Sequence, residues 1–167
     1  KIGDRILIDR SQRWHNGDFN CTKDEAYALG LLIGDGSWTN SHQSVGFATE
    51  DKELSTALNI PFDGSFKQQG DIVHWNMYGK NKIKAWLDFW QLKHNCRTID
   101  KELPQNILRS NKENMSECLA GLYDTDGHVF VDTYRGGTTI SVNFTNTSKR
   151  LVEQMQYILL HYGIVST

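Results

Sequence analysis

Ala28-Leu29-Gly30-Leu31-Leu32-Ile33-Gly34-Asp35-Gly36 and Leu119-Ala120-Gly121-Leu122-Tyr123-Asp124-Thr125-Asp126-Gly127 are two versions of one pattern. Each reads as a short apolar helix with small residues on one face, ending in Asp-Gly. Gly30 and Gly34, like Gly121 and Thr125, are four apart and share a helical face, so two such helices can bring their backbones close together. That pairing would set Asp35 and Asp126 side by side at one end. Two adjacent carboxylates repel, and a helix C-terminus is already partly negative. A bound divalent cation is the simplest compensation, and all-oxygen ligands suit a hard ion such as magnesium. The plainer alternative is a pair of helix-terminating Asp-Gly turns, which occur in many proteins.

The motif pair resembles the LAGLIDADG homing endonucleases. The second copy matches seven of the nine letters, and the first keeps Gly30, Leu31, Asp35 and Gly36 but has Ile33 where the family has Asp. The two copies lie about 90 residues apart. The resemblance implies an α+β LAGLIDADG homing endonuclease fold: two pseudo-symmetric αββαββα-type units, the second incomplete, with the motif helices at their interface and antiparallel strands forming a DNA-binding saddle. It also implies metal-dependent double-strand breaks in a double-stranded DNA target by phosphodiester hydrolysis, with Mg2+ or Mn2+ as cofactor. Asp35 and Asp126 would be catalytic and metal-binding residues, and the carbonyls of Gly34 and Thr125 would add to the metal shell. Lys101-Glu102-Leu103-Pro104 looks like the Lys-x-Ile-Pro segment that precedes the second motif in intein-borne members. By that likeness Lys101 is the third catalytic residue, helping to activate water or stabilise phosphate charge; the alternative is an ordinary surface lysine. The chain is thus most similar to the endonuclease region of an intein.

With 167 residues, the chain is long enough for one domain or two similar half-domains with a real core. Its net charge of −2 argues mildly against a nucleic-acid partner. A basic saddle can, however, coexist with acidic outer helices, and a metal brings its own positive charge. No run is long and apolar enough to span a membrane, and no signal peptide is evident. Cys21, Cys96 and Cys118 are an odd count without metal-site spacing, which fits reduced thiols in a cytoplasmic, intracellular protein.

The expected organisation is a strand and linker leaving a preceding intein splicing domain over 1–20, a first half-domain over 21–115 and a truncated second half-domain over 116–167. Lys1–Asp9 alternates like a strand, and Arg10, Arg13, Trp14 and His15 follow in a polar stretch. Thr22 with Glu25 forms a capping box for the first motif helix. Strands are expected at Ser37–Asn40 and Gln43–Thr49, a helix from Asp51 to Asn59, a hairpin from Ser65 to Tyr78 and an amphipathic helix from Asn81 to Lys93. The second motif helix should be capped near Ser116. A hairpin over His128–Thr145 and a helix from Ser148 to Tyr162 complete the chain, with Gly163 as the stop. Ser44–Leu54 aligns with Ser141–Leu151 at five of eleven positions, an internal repeat beyond the motif itself. The second unit lacks the first unit's later hairpin and helix, so that remainder, or a splicing domain, is an expected partner; no membrane partner is expected.

Alternation places Val45, Phe47, Val142 and Phe144 in the core and turns Ser44, Ser141, Asn143 and Thr145 outward. With Lys67, Gln69, His74, Asn76 and Tyr78 from the first unit, and Tyr134, Arg135 and Thr139 from the second, these are the candidate DNA contacts. Such side chains suit base edges and phosphates, although any solvated strand face has a similar composition. Trp86 and Trp90 are read as core packing. His94-Asn95-Cys96 has the letters of a downstream splice junction but follows a helix, so it is not read as one. Two further readings stand beside the endonuclease: a cleavage-deficient nucleic-acid-binding maturase or regulator, and a degenerate structural insert of an intein.

Overall fold

The computed structural model describes Trp14 and residues 17–39, 44–94 and 96–166. The expected strand at Lys1–Asp9 lies outside these residues. The chain is α+β with antiparallel sheets. Helix α1 spans Lys23–Gly34, and the Thr22–Glu25 capping box satisfies its first amides reciprocally. β1 (Ser37–Thr39) and β2 (Ser44–Thr49) follow, then α2 (Lys52–Asn59), capped by Asp51. β3 (Ser65–Gln69) and β4 (Ile72–Tyr78) form a hairpin through Gly70, whose φ of 62° suits glycine. Helix α3 covers Lys80–Trp90. It stops three residues before the expected Lys93, because Gln91 turns left-handed and its N–H reaches back to the Leu87 and Asp88 carbonyls.

These four strands form one sheet in the order β1-β2-β4-β3. Trp38, Val45, Phe47, Val73, Trp75 and Met77 lie on its buried face. Leu58 of α2 and Ile83, Trp86, Leu87 and Trp90 of α3 are buried in the same core, as expected for the tryptophans.

The connection to the second unit contains a 3-10 turn (Thr98–Asp100) and the short helix α4 (Gln105–Leu108), neither visible in the hydrophobic pattern. Helix α5 covers Lys112–Asp126. Its N-cap is Asn111, not Ser116: the Asn111 side chain accepts the Asn114 amide at 2.8 Å, which starts the helix five residues earlier. β5 (Gly127–Tyr134) and β6 (Gly137–Phe144) form a two-stranded ribbon, and α6 (Lys149–His161) follows, capped by Ser148. Two aromatic residues before α1, Trp14 and Phe19, are anchored to the rest of the fold. Trp14 Nε1 donates to the Ser110 carbonyl at 3.0 Å, and Phe19 packs on Phe89 and Trp90.

The two units share a strand register. Trp38 pairs with Val45 in the first, and Val129 pairs with Val142 in the second. Burial does not follow. Val142 was expected in the core but is 62% exposed, because among the described residues nothing covers that face of the β5–β6 ribbon. Phe144 is half-buried, edge-on to Tyr123.

The halves meet along α1 and α5. A methyl group on Gly30 would overlap the Cys118 carbonyl, and one on Gly121 would overlap the Tyr27 carbonyl and stand 2.8 Å from the Leu31 nitrogen. Gly121→Ala is therefore predicted to cost about 3 kcal/mol, the upper end for overpacking, since backbone cannot move aside as a side chain can. Gly70→Asn, at a left-handed turn with open space around it, should stay within about 0.5 kcal/mol. Urea unfolding of both variants provides the measurement; equal midpoints would contradict the close approach.

Candidate metal and nucleic-acid site

The α1–α5 contact runs down to the Asp-Gly ends of both helices. Gly34 faces Thr125 so closely that a methyl group there would overlap the Thr125 hydroxyl and sit 3.4 Å from Asp126 Oδ2. Asp35 caps α1, its N–H bonded to the Leu31 carbonyl at 3.0 Å, with its side chain exposed. Asp126 is the last residue of α5 and half-buried. Asp35, Asp126, Gly34 and Thr125 thus come together at one end of the helix pair. Across the pair, the Tyr27 hydroxyl donates to Asp124 Oδ2 at 2.6 Å. Burial, reinforced by Asp124, raises the Tyr27 phenol well above its ordinary range, so it stays a donor.

Lys101 joins this group, and it is no surface lysine: only 5% of it is exposed. Its Nζ donates to the Gly34 carbonyl at 2.6 Å and the Gly36 carbonyl at 2.8 Å, and lies 5.7 Å from the centre of the Trp38 ring. Helix α1 has no basic residue in its last turn, so Lys101 supplies the positive charge that its C-terminal carbonyls lack. Burial lowers the Lys101 pKa from its ordinary value, while the charges of Asp126 and Asp35 pull it back up. The Ser148 hydroxyl donates to the Lys101 carbonyl at 2.5 Å, tying the segment to the start of α6.

Asn146 escaped the sequence reading. Its Nδ2 donates to Asp126 Oδ2 at 2.6 Å, and its Oδ1 accepts the Ser148 amide at 2.8 Å. The internal repeat held the only clue. Asn146 aligns with Thr49, whose hydroxyl accepts the Asp51 amide at 3.0 Å in the same way. Burial raises the Asp126 carboxyl above its ordinary value. The Asn146 hydrogen bond opposes that rise, the Asp35 charge adds to it and the Lys101 charge reduces it.

The donor set fits a hard divalent ion: two carboxylates and main-chain carbonyl oxygens, with no sulfur or imidazole among them. The fit is incomplete in one respect. Among the described residues no cluster of three His, Cys, Asp or Glu side chains forms a full metal cage, so further ligands would have to be carbonyls, water or substrate phosphate.

The first strand of each unit starts just past this end. In the first unit His74, Asn76 and Tyr78 of β4 share a face with Lys67 and Gln69 of β3 and Ser44 of β2, through the pairs Lys67–His74 and Ser44–Tyr78. In the second, Thr139, Ser141 and Asn143 share a face with His128, Phe130, Asp132 and Tyr134. Arg135 lies in the exposed turn, and Thr145, whose amide bonds to the Asp126 carbonyl at 3.1 Å, is exposed just past β6. His74, Asn76 and Ser141 are half-buried; the other candidate contacts on these faces are exposed, except Ser44, which is also half-buried.

Residues 113–167 match the family model of the LAGLIDADG-like domain. Three curated proteins are similar. The ATP-dependent DNA helicase Hel308 of Methanocaldococcus jannaschii is 25% identical over 178 residues, covering 100% of this chain and 14% of that protein. The glutamine–fructose-6-phosphate aminotransferase of the same organism is 25% identical over 146 residues, covering 83% of this chain and 13% of its own length. Ribonucleoside-diphosphate reductase NrdEB subunit alpha of Bacillus subtilis strain 168 is 20% identical over 190 residues, covering 100% and 17%. The chain thus spans only 13–17% of the length of these relatives. Among solved structures, LAGLIDADG homing endonuclease I-GzeII in complex with its DNA target has a TM-score of 0.46 at 13% identity, over 71% of this chain and 64% of that one. I-DmoI in complex with DNA and Mn has a TM-score of 0.40 at 13% identity, over 87% and 97%.

Lys101→Met would leave two helix-end carbonyls without their donor and should cost about 2 kcal/mol in urea unfolding; a cost below about 0.5 kcal/mol would contradict the capping role. Asn146→Ala should move the Asp126 titration upward, since it removes a bond that favours the ionised carboxylate. Carbon-detected NMR of the side-chain carboxyls checks the direction, and a downward or absent shift would contradict it.

Proposed function

We propose that this chain is the endonuclease region of an intein and makes site-specific, metal-dependent double-strand breaks in DNA. One observation carries the reading: the two motif aspartates stand together at the end of the α1–α5 pair, around a buried lysine. Asp35 and Asp126, with the carbonyls of Gly34 and Thr125, would hold Mg2+ or Mn2+. That ion would supply the Lewis acidity that hydrolysis of a phosphodiester needs. Lys101 holds the α1 terminus that presents Asp35, and its charge lies in reach of both carboxylates. Asn146 fixes the Asp126 carboxylate. Lys67, Gln69, His74, Asn76, Tyr78, Arg135, Thr139, Ser141, Asn143 and Thr145 are the proposed contacts to phosphates and base edges.

The intein setting draws support from the relatives. A helicase, an aminotransferase and a reductase have unrelated chemistries, yet each aligns with this chain over about a seventh of its length. A segment shared by such hosts behaves as an insert. Residues 1–20 would lead in from the splicing part, 21–115 would be the first half-domain and 116–167 part of the second.

A cleavage assay on a plasmid library of candidate sites tests the reading, using the full-length gene product in magnesium. Cutting should occur at one or few sites. Asp35→Asn or Asp126→Asn should lower the rate by at least about 100-fold while DNA retention falls far less. Salt-sensitive binding without cutting would instead support a cleavage-deficient binding module; neither cutting nor binding would support a structural insert.

A further inference from the structure

Lys101 reaches the end of α1 from a segment that is neither helix nor strand. Residues 101–104 run between the 3-10 turn and α4, with extended backbone at Lys101 and Pro104. Lys101 is 5% exposed and Leu103 1%. A buried main chain without regular structure must find its hydrogen bonds elsewhere. A lysine head rides on a flexible four-carbon stem. Where the ammonium sits therefore depends on what fixes the backbone behind it.

Helix α6 of the second unit supplies that hold. The Ser148 hydroxyl takes the Lys101 carbonyl. Glu102 is clamped from two sides: Oε1 lies 2.7 Å from Lys93 Nζ, just past α3, and Oε2 accepts from Arg150 Nε on α6. Gln154, one turn after Arg150, meets both main-chain polar groups of Leu103. Its Oε1 accepts the Leu103 amide at 2.8 Å, and its Nε2 donates to the Leu103 carbonyl at 3.3 Å. A side-chain amide carries acceptor and donors together, so it can satisfy one residue's N–H and C=O as a neighbouring strand would. The internal repeat does not require this residue. Continued three positions past Leu54 and Leu151, the alignment sets Ala57 of α2 opposite Gln154. The amide belongs to the segment that carries Lys101, not to the shared fold.

We propose that Gln154 is a positioning residue for Lys101. Through Leu103 it fixes the segment from which Lys101 extends to the Gly34 and Gly36 carbonyls. A helix of the second unit thereby sets the charge at the motif end of the first. Without the Gln154 amide, Leu103 is released and the ammonium leaves its carbonyls, while the aspartates stay where the α1–α5 contact puts them. The bearing of this on cleavage rests on the function proposed above.

The test uses the full-length gene product and two readouts. The first is exchange of the Lys101 ammonium protons with water, followed by NMR and assigned by loss of the signal in Lys101→Met. Gln154→Ala should speed this exchange at least about 10-fold, as opening of the segment exposes the ammonium. Gln154→Glu still accepts the Leu103 amide but no longer donates to its carbonyl, and should fall between. Ile83→Val, a truncation in the core of the first unit, should leave the exchange unchanged. The second readout is cleavage. Gln154→Ala should lower kcat about 10-fold or more, as a small misplacement of a reacting group does, and leave KM for DNA within about threefold. Unchanged exchange in Gln154→Ala, or an equal rise in Ile83→Val, would overturn the proposal, and so would faster exchange with kcat unchanged. A wild type that cuts no DNA would instead defeat the proposed function, and ammonium exchange would still decide whether Gln154 holds Lys101.

Discussion

The contact between the backbones of α1 and α5 is the constraint on which the rest depends. Gly30 and Gly121 leave no room for a β-carbon on the facing surfaces, because each already touches a carbonyl of the opposite helix. Helices with ordinary side chains at the contact hold their axes farther apart. Here the approach continues to Gly34 and Thr125, and it carries the two Asp-Gly ends into one neighbourhood. The sheets follow, since each unit's first strand leaves directly from its motif helix.

That proximity has an electrostatic cost. Two helix C-termini and two carboxylates concentrate negative charge at one end of the pair. The chain answers with a buried ammonium on the Gly34 and Gly36 carbonyls and an amide donor on Asp126. Ser148 links both answers: its hydroxyl bonds to the Lys101 carbonyl and its amide to Asn146. The segment between the halves and the start of α6 are thereby tied to the same few atoms. Buried polar groups connected in this way hold one arrangement more firmly than separate pairs would.

Much of this was legible in the amino-acid sequence. The motif pair named the contacting helices and the aspartates, and Thr22 with Glu25 marked the start of α1. Strand alternation located β2 and β4 with their outward residues. The misreadings have physical causes. Alternation assumes a buried face, so it placed Val142 in a core that no described element closes. The cap at Ser116 lost to Asn111, because either side chain can accept a helix-start amide and tertiary context chooses between them. Lys101 was recognised through its local sequence, but its carbonyl partners lie more than sixty residues away and no pattern announces them. Asn146 belongs to no motif; only its alignment with Thr49 hinted that it shapes a turn.

If Asp35 and Asp126 form one site, they must act on a bound ion together. Water-proton relaxation with Mn2+ measures this directly on the wild type, Asp35→Asn, Asp126→Asn and the double variant. A shared site predicts that either single substitution removes most of the affinity and that the double variant loses little more, a strongly non-additive cycle. Independent losses that simply add, or Mn2+ binding unchanged by Asp35→Asn, would contradict a single site at the end of the helix pair.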